Sequence, residues 1–304
     1  MKEKKLQLSY TTQYGRCYCS TIEDALPSKT FKELRGKVDL ILTSPPFPLK
    51  RKKKYGNFNG AEYIEWIGDL AVEFWGLLKP TGSIVIEIGN AWEPGKPSMS
   101  TVPTQALLRF LQSGRFTLCQ EFVWFNNARL PGPAQWVNIE RIRVKDSFTK
   151  IWWMSKSERP KANNKRVLVE YSDSMKRLLS TRKYNSGKRP SEHVIGKHSF
   201  FSKHRGAIPS NVLVGSNTNS SQVYYDYCRH HKLPIHPARM PSFVADFFIK
   251  LLTTKDDLVL DPFGGSNVTG ASAEELGRNW ITVEAKVEYV HGSRGRFKLR
   301  KAGS

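Results

Sequence analysis

Two short runs of the chain set ligand-binding groups where the backbone has little freedom. In the first, Thr43-Ser44-Pro45-Pro46-Phe47, Pro45 biases Ser44 away from helical angles, and neither proline carries an N–H. The loop therefore offers carbonyl oxygens and the Ser44 hydroxyl, an acceptor-rich surface suited to holding an amino group by its hydrogens. Phe47 adds a flat apolar face on which a planar base drawn out of a duplex can stack. Ser-Pro-Pro is also a common turn element, so the surroundings must decide its role.

The second run, Asp261-Pro262-Phe263-Gly264-Gly265-Ser266-Asn267-Val268-Thr269-Gly270, is the more specific. Its glycines let the backbone approach a ligand closely, and the helix expected after it begins with unpaired N–H groups. We read Asp261, Pro262, Phe263, Gly264, Gly265, Ser266, Asn267 and Thr269 as a cofactor turn. The spacing is not G-x-G-x-x-G, which disfavours a nicotinamide or flavin dinucleotide. Glu284 ends the next strand, about 20 residues after the turn, where a carboxylate can accept from both ribose hydroxyls.

These runs need strands to hold them. Val38 to Leu42 is a short apolar run suited to a buried parallel strand leading into Ser44. Ile64, Ile67, Ala71, Phe74 and Leu78 recur at helical steps, stopped by Lys79-Pro80-Thr81-Gly82, after which Ser83 to Ile88 reads as a strand. A helix over Thr104 to Leu111 and strands over Phe116 to Phe125 and Ile151 to Met154 follow. The pattern resumes with a helix carrying Phe243, Phe247 and Leu251, a strand Leu258 to Leu260, a helix Val268 to Leu276 and a strand Trp280 to Val283. Alternating strands and helices imply an open, mostly parallel α/β sheet with helices on both faces.

The charge is uneven. The chain has 48 Lys/Arg against 27 Asp/Glu, a net +21, which favours a polyanionic partner through counterion release. Residues 157–232 hold 15 Lys/Arg against 5 Asp/Glu, with weak periodicity and many turn formers, and read as an inserted loop-rich surface module. We therefore divide the chain into 1–156, 157–232 and 233–304. Lys50, Arg51, Lys52, Lys53 and Lys54 directly follow the Ser44 loop and are expected to contact that polyanion, as are Arg182, Lys183, Lys188, Arg189, Lys203 and Arg205 of the insertion.

Other classes fit poorly. At 304 residues and 39% hydrophobic content the chain can bury a large core. It has no apolar run of ~18 residues and no apolar signal core at its start, so a cytoplasmic protein without a membrane partner is expected. Four scattered cysteines make neither a disulfide framework nor a metal knuckle. Cys228 with His230 and His231 lacks a second ligand pair, and no metal is expected.

Together the two runs resemble the amino-methyltransferases of DNA, in the permuted order of the beta class: the Ser/Asp-Pro-Pro-aromatic motif first, the target recognition region next, the cofactor turn last. The resemblance covers nearly the whole chain. It implies a Rossmann-like S-adenosylmethionine-dependent fold and transfer of a methyl group to an exocyclic base nitrogen of double-stranded DNA. Leu78 to Ser83 resembles the family's helix-to-strand turn, and Glu121 to Asn127 the strand lining the target pocket. His236-Pro237-Ala238-Arg239-Met240-Pro241 resembles the start of the helix that closes over the cofactor, which adds Pro237, Ala238, Met240 and Pro241 to the expected cofactor residues. Tyr18 to Leu26 falls where members have an adenine-side motif. Members often carry Gly-Asp-Ser there, but this chain has Cys19-Ser20-Thr21, so no adenine-binding aspartate is assigned at that position, and Glu23 or Asp24 is the alternative.

Serine at position 44 resembles the N4-cytosine members, whereas N6-adenine members usually have aspartate. The implied catalytic set is Ser44, Pro45, Pro46 and Phe47, acting on a flipped base by direct displacement without a cysteine nucleophile. The implied setting is the modification half of a restriction-modification system, with an endonuclease that shares the site but not a stable complex. An N6-adenine enzyme and a DNA-binding protein without catalysis are the rival readings.

Overall fold

The structure is a computed structural model that describes residues 6–47, 60–196, 198, 200–216 and 222–297. Its elements run in the order β1 (Gln7–Thr11), β2 (Gly15–Cys19), α1 (Ile22–Ala25), α2 (Lys29–Glu33), β3 (Val38–Thr43), α3 (Gly60–Leu77), β4 (Leu78–Ile88), α4 (Val102–Gly114), β5 (Thr117–Phe125) and β6 (Phe148–Ser155). They continue with α5 (Asp173–Thr181), β7 (Gly187–Lys188), β8 (Val194–Ile195), β9 (Val212–Val214), α6 (Gln222–His230), α7 (Ser242–Leu252), β10 (Leu258–Asp261), α8 (Val268–Glu275), β11 (Asn279–Glu284) and α9 (Val287–Ser293).

Nine strands form one sheet in the order β1-β2-β11-β10-β3-β4-β6-β5-β9. From β2 to β4 every pairing is parallel, β6 runs antiparallel between β4 and β5, and β1 closes the edge as a hairpin with β2. The mostly parallel α/β sheet expected from the sequence is the architecture found. Alternation along the strands serves two cores. Ile84, Ile86, Ile281, Val283 and Leu260 point into a cluster with Tyr63, Ile67 and Phe74 of α3 and Phe110 of α4. Helices α7 and α8 pack together elsewhere on the sheet, with Phe248 of α7 buried 5.0 Å from the Phe122 ring.

One expected boundary moves. Helix α3 passes straight into β4 at Leu78, and the pairing jumps from Val38↔Leu78 to Leu40↔Ser83. The residues read as a stop, Lys79 to Gly82, are a bulge on the strand, held where Lys79 Nζ meets Asp39 2.7 Å away. Asp39, only 4% exposed, also accepts from the Leu258 N–H at 3.0 Å, and Lys161 Nζ lies 3.5 Å off. A carboxylate in β3 thus fastens β4, β10 and the chain after β6.

The insertion is smaller than its composition suggests. Residues 163–210 form a compact unit of their own, while the rest of the chain forms the other. Residues 157–162 and 211–232 belong with the sheet: β9 extends it beside β5, and α6 packs on α9 and the Arg294–Arg296 turn, burying Tyr224 and Cys228. The small unit holds α5, the β7-β8 ribbon and a Val169–Ala207 bridge, with Tyr184 5.3 and 5.4 Å from the Phe200 and Phe201 rings. No described helix is long and apolar enough to cross a membrane.

Asp39→Ala leaves the Leu258 amide and the Lys79 ammonium without this acceptor, while Lys161 keeps Asp257 at 2.5 Å. A loss of about 1–3 kcal/mol is expected, measured by urea denaturation; unchanged stability would show that water replaces the carboxylate.

Candidate active site

Strands β3 and β10 are sheet neighbours, with Val259 opposite Leu40 and Leu260 opposite Ile41. Two runs more than 200 residues apart therefore leave the same edge of the sheet side by side. The contact is direct: Thr43 Oγ1 donates to Asp261 Oδ1 at 2.7 Å, in a buried position. That oxygen also accepts from the Phe263 N–H at 3.1 Å, shaping the turn. Burial pushes the Asp261 carboxyl up to about 6, against the hydrogen bonds from Thr43, Thr269 and Phe263.

The glycines have separate reasons. Gly264 lies so close to β11 that an added Cβ would stand 2.1 Å from Thr282 Cγ2. Gly265 has φ +52°, and its Cβ would press on the His236 ring at 3.1 Å. Its N–H donates to Glu284 Oε2 at 2.7 Å, while Glu284 Oε1 accepts from the Lys286 N–H at 2.8 Å. Burial nonetheless raises the Glu284 carboxyl above the usual range.

A cavity of about 600 Å³ opens between the two runs. Ser44, Pro45, Pro46 and Phe47 line it together with Asp261, Pro262, Phe263, Gly264, Gly265, Ser266, Thr269, Glu284, Ala238 and Met240. Three expected cofactor residues are not on its wall: Pro237, Pro241 and Asn267. Asn267 sits in left-handed geometry beneath the turn, accepting from the Gly270 N–H at 3.0 Å and Thr282 Oγ1 at 2.8 Å and donating to Tyr10 OH at 3.0 Å. It shapes the turn from behind. Pro241 is the N-cap of α7.

Further along the wall stand Ser20, Thr21 and Glu23, from the Tyr18-to-Leu26 segment where the resemblance expects the adenine side, and Trp66, which the sequence reading does not single out. Trp66 of α3 packs its ring 5.5 Å from Phe263 and donates to Glu23 Oε1 at 2.7 Å. Trp66, Glu23, Ser20 and Thr21 give this end an aromatic and polar rim. Trp66 lies off the apolar stripe of α3, and only its pairing with Phe263 reveals its use. Behind the turn, Arg296 donates to the Ser266 carbonyl at 2.6 Å and to its hydroxyl at 3.0 Å. Burial pushes this guanidinium down to about 10.

The largest omission is Glu87. It lies on β4 beside the strand that delivers Ser44, is 4% exposed, and accepts a hydrogen bond from the Ser44 side chain. Burial pushes its carboxyl up to about 7, opposed by Ser44 and by the charge of Arg129. Arg129 donates to the Phe148 carbonyl at 3.0 Å and to the Thr149 hydroxyl and stacks 4.9 Å over Trp124. An acid inside an apolar strand was the available signal. Beside it, Phe47 covers Gly89, where a Cβ would be 2.5 Å from the ring.

Of the expected DNA contacts, Lys50, Arg51, Lys52, Lys53 and Lys54 lie outside the described residues. Arg182, Lys183, Lys188, Arg189, Lys203 and Arg205 are all exposed on the 163–210 unit. Lys188 pairs with Glu192 at 2.6 Å, Arg189 donates to the Asn185 carbonyl at 2.8 Å, and Arg182 lies 5.9 Å over the Phe201 ring.

An α/β sheet whose permuted halves build one cavity from an acceptor loop and a glycine turn is the framework of the DNA amino-methylases. Residues 38–294 match the DNA methylase family of N6 and N4 enzymes, and the chain belongs to it. It is 43% identical over 291 residues to the type II methyltransferase M.PvuII of Proteus hauseri, covering 95% of this chain and 85% of that protein. It is 24% identical over 286 residues to the type II methyltransferase M.HpaI of Haemophilus parainfluenzae, covering 93% and 74%. Among solved structures, the PvuII DNA methyltransferase (cytosine-N4-specific) superposes with a TM-score of 0.77 at 37% identity, covering 98% of this chain and 91% of that one. The M1.HpyAVI–SAM complex shares the fold at a TM-score of 0.55 and 20% identity, covering 94% and 100%.

Gly264→Ala forces the turn off β11 without touching the Ser44 loop. Its affinity for S-adenosylmethionine, by calorimetric titration, is expected to fall about tenfold or more, equivalent to about 1.4 kcal/mol; wild-type affinity would mean that the turn does not hold the ligand.

Proposed function

We propose that this enzyme transfers a methyl group from S-adenosylmethionine to the exocyclic N4 of cytosine in double-stranded DNA, as the modification enzyme of a restriction-modification system. One observation carries the reading: Ser44-Pro45-Pro46-Phe47 and the glycine turn share one cavity, joined by the Thr43–Asp261 hydrogen bond. The strong likeness to a cytosine-N4-specific enzyme supports the choice of atom.

The residues fit the cofactor. Gly264 and Gly265 line the cavity with bare backbone, packed too tightly on Thr282 and His236 to carry a Cβ, Glu284 stands at the strand end for the ribose, and Trp66 with Phe263 offers apolar ring faces. When bound, S-adenosylmethionine supplies an electrophilic methyl on a sulfonium.

The chain's own part is to prepare the amine. The cytosine amino nitrogen is a weak nucleophile because its lone pair is delocalised into the ring. Ser44 and the Pro45 carbonyl accept its two hydrogens, drawing the nitrogen toward tetrahedral geometry and freeing that pair. Glu87 makes Ser44 an acceptor: by taking the hydroxyl hydrogen, its carboxylate turns the oxygen lone pairs toward the base. Phe47, braced on Gly89, supports the ring of the extruded base. After transfer the methylated amine is acidic, and Ser44 and Glu87 provide a path for its proton. Glu87 is a positioning residue and Ser44 a catalytic one.

DNA is held by basic groups. Lys50 to Lys54, which follow the Ser44 loop in sequence, and the exposed Arg182, Lys183, Lys188, Arg189, Lys203 and Arg205, are assigned to phosphates and grooves, with 163–210 as the core of the target recognition region. The enzyme acts in the cytoplasm, and its partner endonuclease cuts the same sequence without binding it stably.

Methylation-sensitive sequencing of DNA treated with the purified protein, with nucleoside mass spectrometry, is expected to show N4-methylcytosine in one short sequence. N6-methyladenine alone, or no methylation, would overturn the assignment. Ser44→Ala is expected to lower kcat about 100-fold or more with cofactor affinity kept. Below pH 7 Glu87 gains its proton, and the neutral acid accepts from Ser44 more weakly and can donate to it instead, so wild-type kcat should rise as pH passes through about 7. Glu87→Gln should be slower and lack that inflection; an unchanged profile would remove Glu87 from the mechanism.

A further inference from the structure

The chain between β5 and β6 leaves and re-enters the sheet at the edge that carries Ser44, because β5 runs parallel to β4 and β3. Within it, Arg141-Ile142-Arg143-Val144-Lys145 alternates basic and apolar residues. On a protein surface the aliphatic side chains of such a segment ordinarily face in and the charged ones out. Here the arrangement is inverted. Arg143 lies 4.0 Å over the Trp92 ring and donates to the Pro97 carbonyl, and Lys145 donates to the Asn127 carbonyl at 2.6 Å. Next to them, Asn90 Nδ2 donates to both Asp146 oxygens at 2.9 and 3.0 Å. With Arg143 and Lys145 used as anchors, Ile142 is left 59% exposed and Val144 89% exposed, and Leu130, earlier in the same loop, is 87% exposed.

The ridge is rooted on the residues that frame the base pocket. Asn90 follows Gly89, against which Phe47 packs, and Arg129, one residue before Leu130, faces Glu87. Exposed aliphatic groups held rigidly beside a pocket call for a partner with apolar surface. Extruding a base creates such a surface at that place, since it uncovers the faces of the two flanking base pairs. The net charge of +21 and the exposed guanidinium of Arg141 suit the phosphates on either side.

We propose that Leu130, Ile142 and Val144 form an apolar wedge that enters the duplex where the target base has left, with Arg141 on the adjoining backbone. The proposal rests on the reading that the target is extruded into the Ser44 pocket. The test compares Ile142→Ser/Val144→Ser with wild type on two duplexes carrying the methylation site, one normally paired and one with the target opposite an abasic position. Both residues are exposed, so the melting temperature should be unchanged.

The variant is expected to lose about tenfold or more in kcat/KM on the paired duplex and to stay within about twofold of wild type on the abasic one, where extrusion is already cheap. Equal activity on both duplexes, or equal loss on both, would overturn the wedge. So would a wild-type dimer, in sedimentation without DNA, that the variant dissolves, because a second copy would then own the ridge. A wild type active on the paired duplex but inactive on the abasic one would instead end the extrusion reading, and the wedge with it.

Discussion

The site depends on two strands being neighbours. Strand β3 delivers Ser44 and strand β10 delivers the glycine turn, and the Thr43 hydroxyl bonded to Asp261 at 2.7 Å fixes the spacing of their ends. Both groups are nearly inaccessible, at 1% and 5% exposure. A hydrogen bond to a carboxylate in such a place is strong, and leaving that acceptor unpaired is costly. The bond ties the loop offered to the base to the loop offered to the methyl donor before either ligand arrives.

Around that link the polar groups divide by depth. Asp261, Glu284 and Glu87 are all pushed upward by burial, yet each has donors that hold it in place. None faces the cavity as a loose charge. In the proposed reaction, reactivity would come from orientation of weak groups, a hydroxyl and a carbonyl, inside a fixed frame. Asn267 and Arg296 serve the same end from outside the wall, bracing the cofactor turn through its backbone and through Ser266.

Much of this was legible in the sequence. The β3 and β10 runs, the Ser44 loop, the glycine turn and Glu284 announce themselves by local pattern, because apolar runs, prolines and glycines constrain the backbone wherever they occur. The order of the sheet is not local, and so the partners supplied by packing were missed. Glu87 lay inside an apolar run and was passed over; Trp66 gains meaning only from Phe263, and Arg296 only from Ser266. Asn267 was read as a ligand residue because it sits in the motif, whereas its amide is consumed by Gly270, Thr282 and Tyr10. The compact 163–210 unit is narrower than the basic stretch 157–232, since composition alone does not mark where the polar border of a sheet ends.

The most direct test is a crystal structure of the protein with S-adenosylhomocysteine and a duplex carrying its methylation site. The account predicts a cytosine swung out of the helix with its amino nitrogen about 3 Å from Ser44 Oγ, and the cofactor sulfur facing it from the Phe263 side of the same cavity. A base bound away from Ser44 while the cofactor occupies the glycine turn would contradict it.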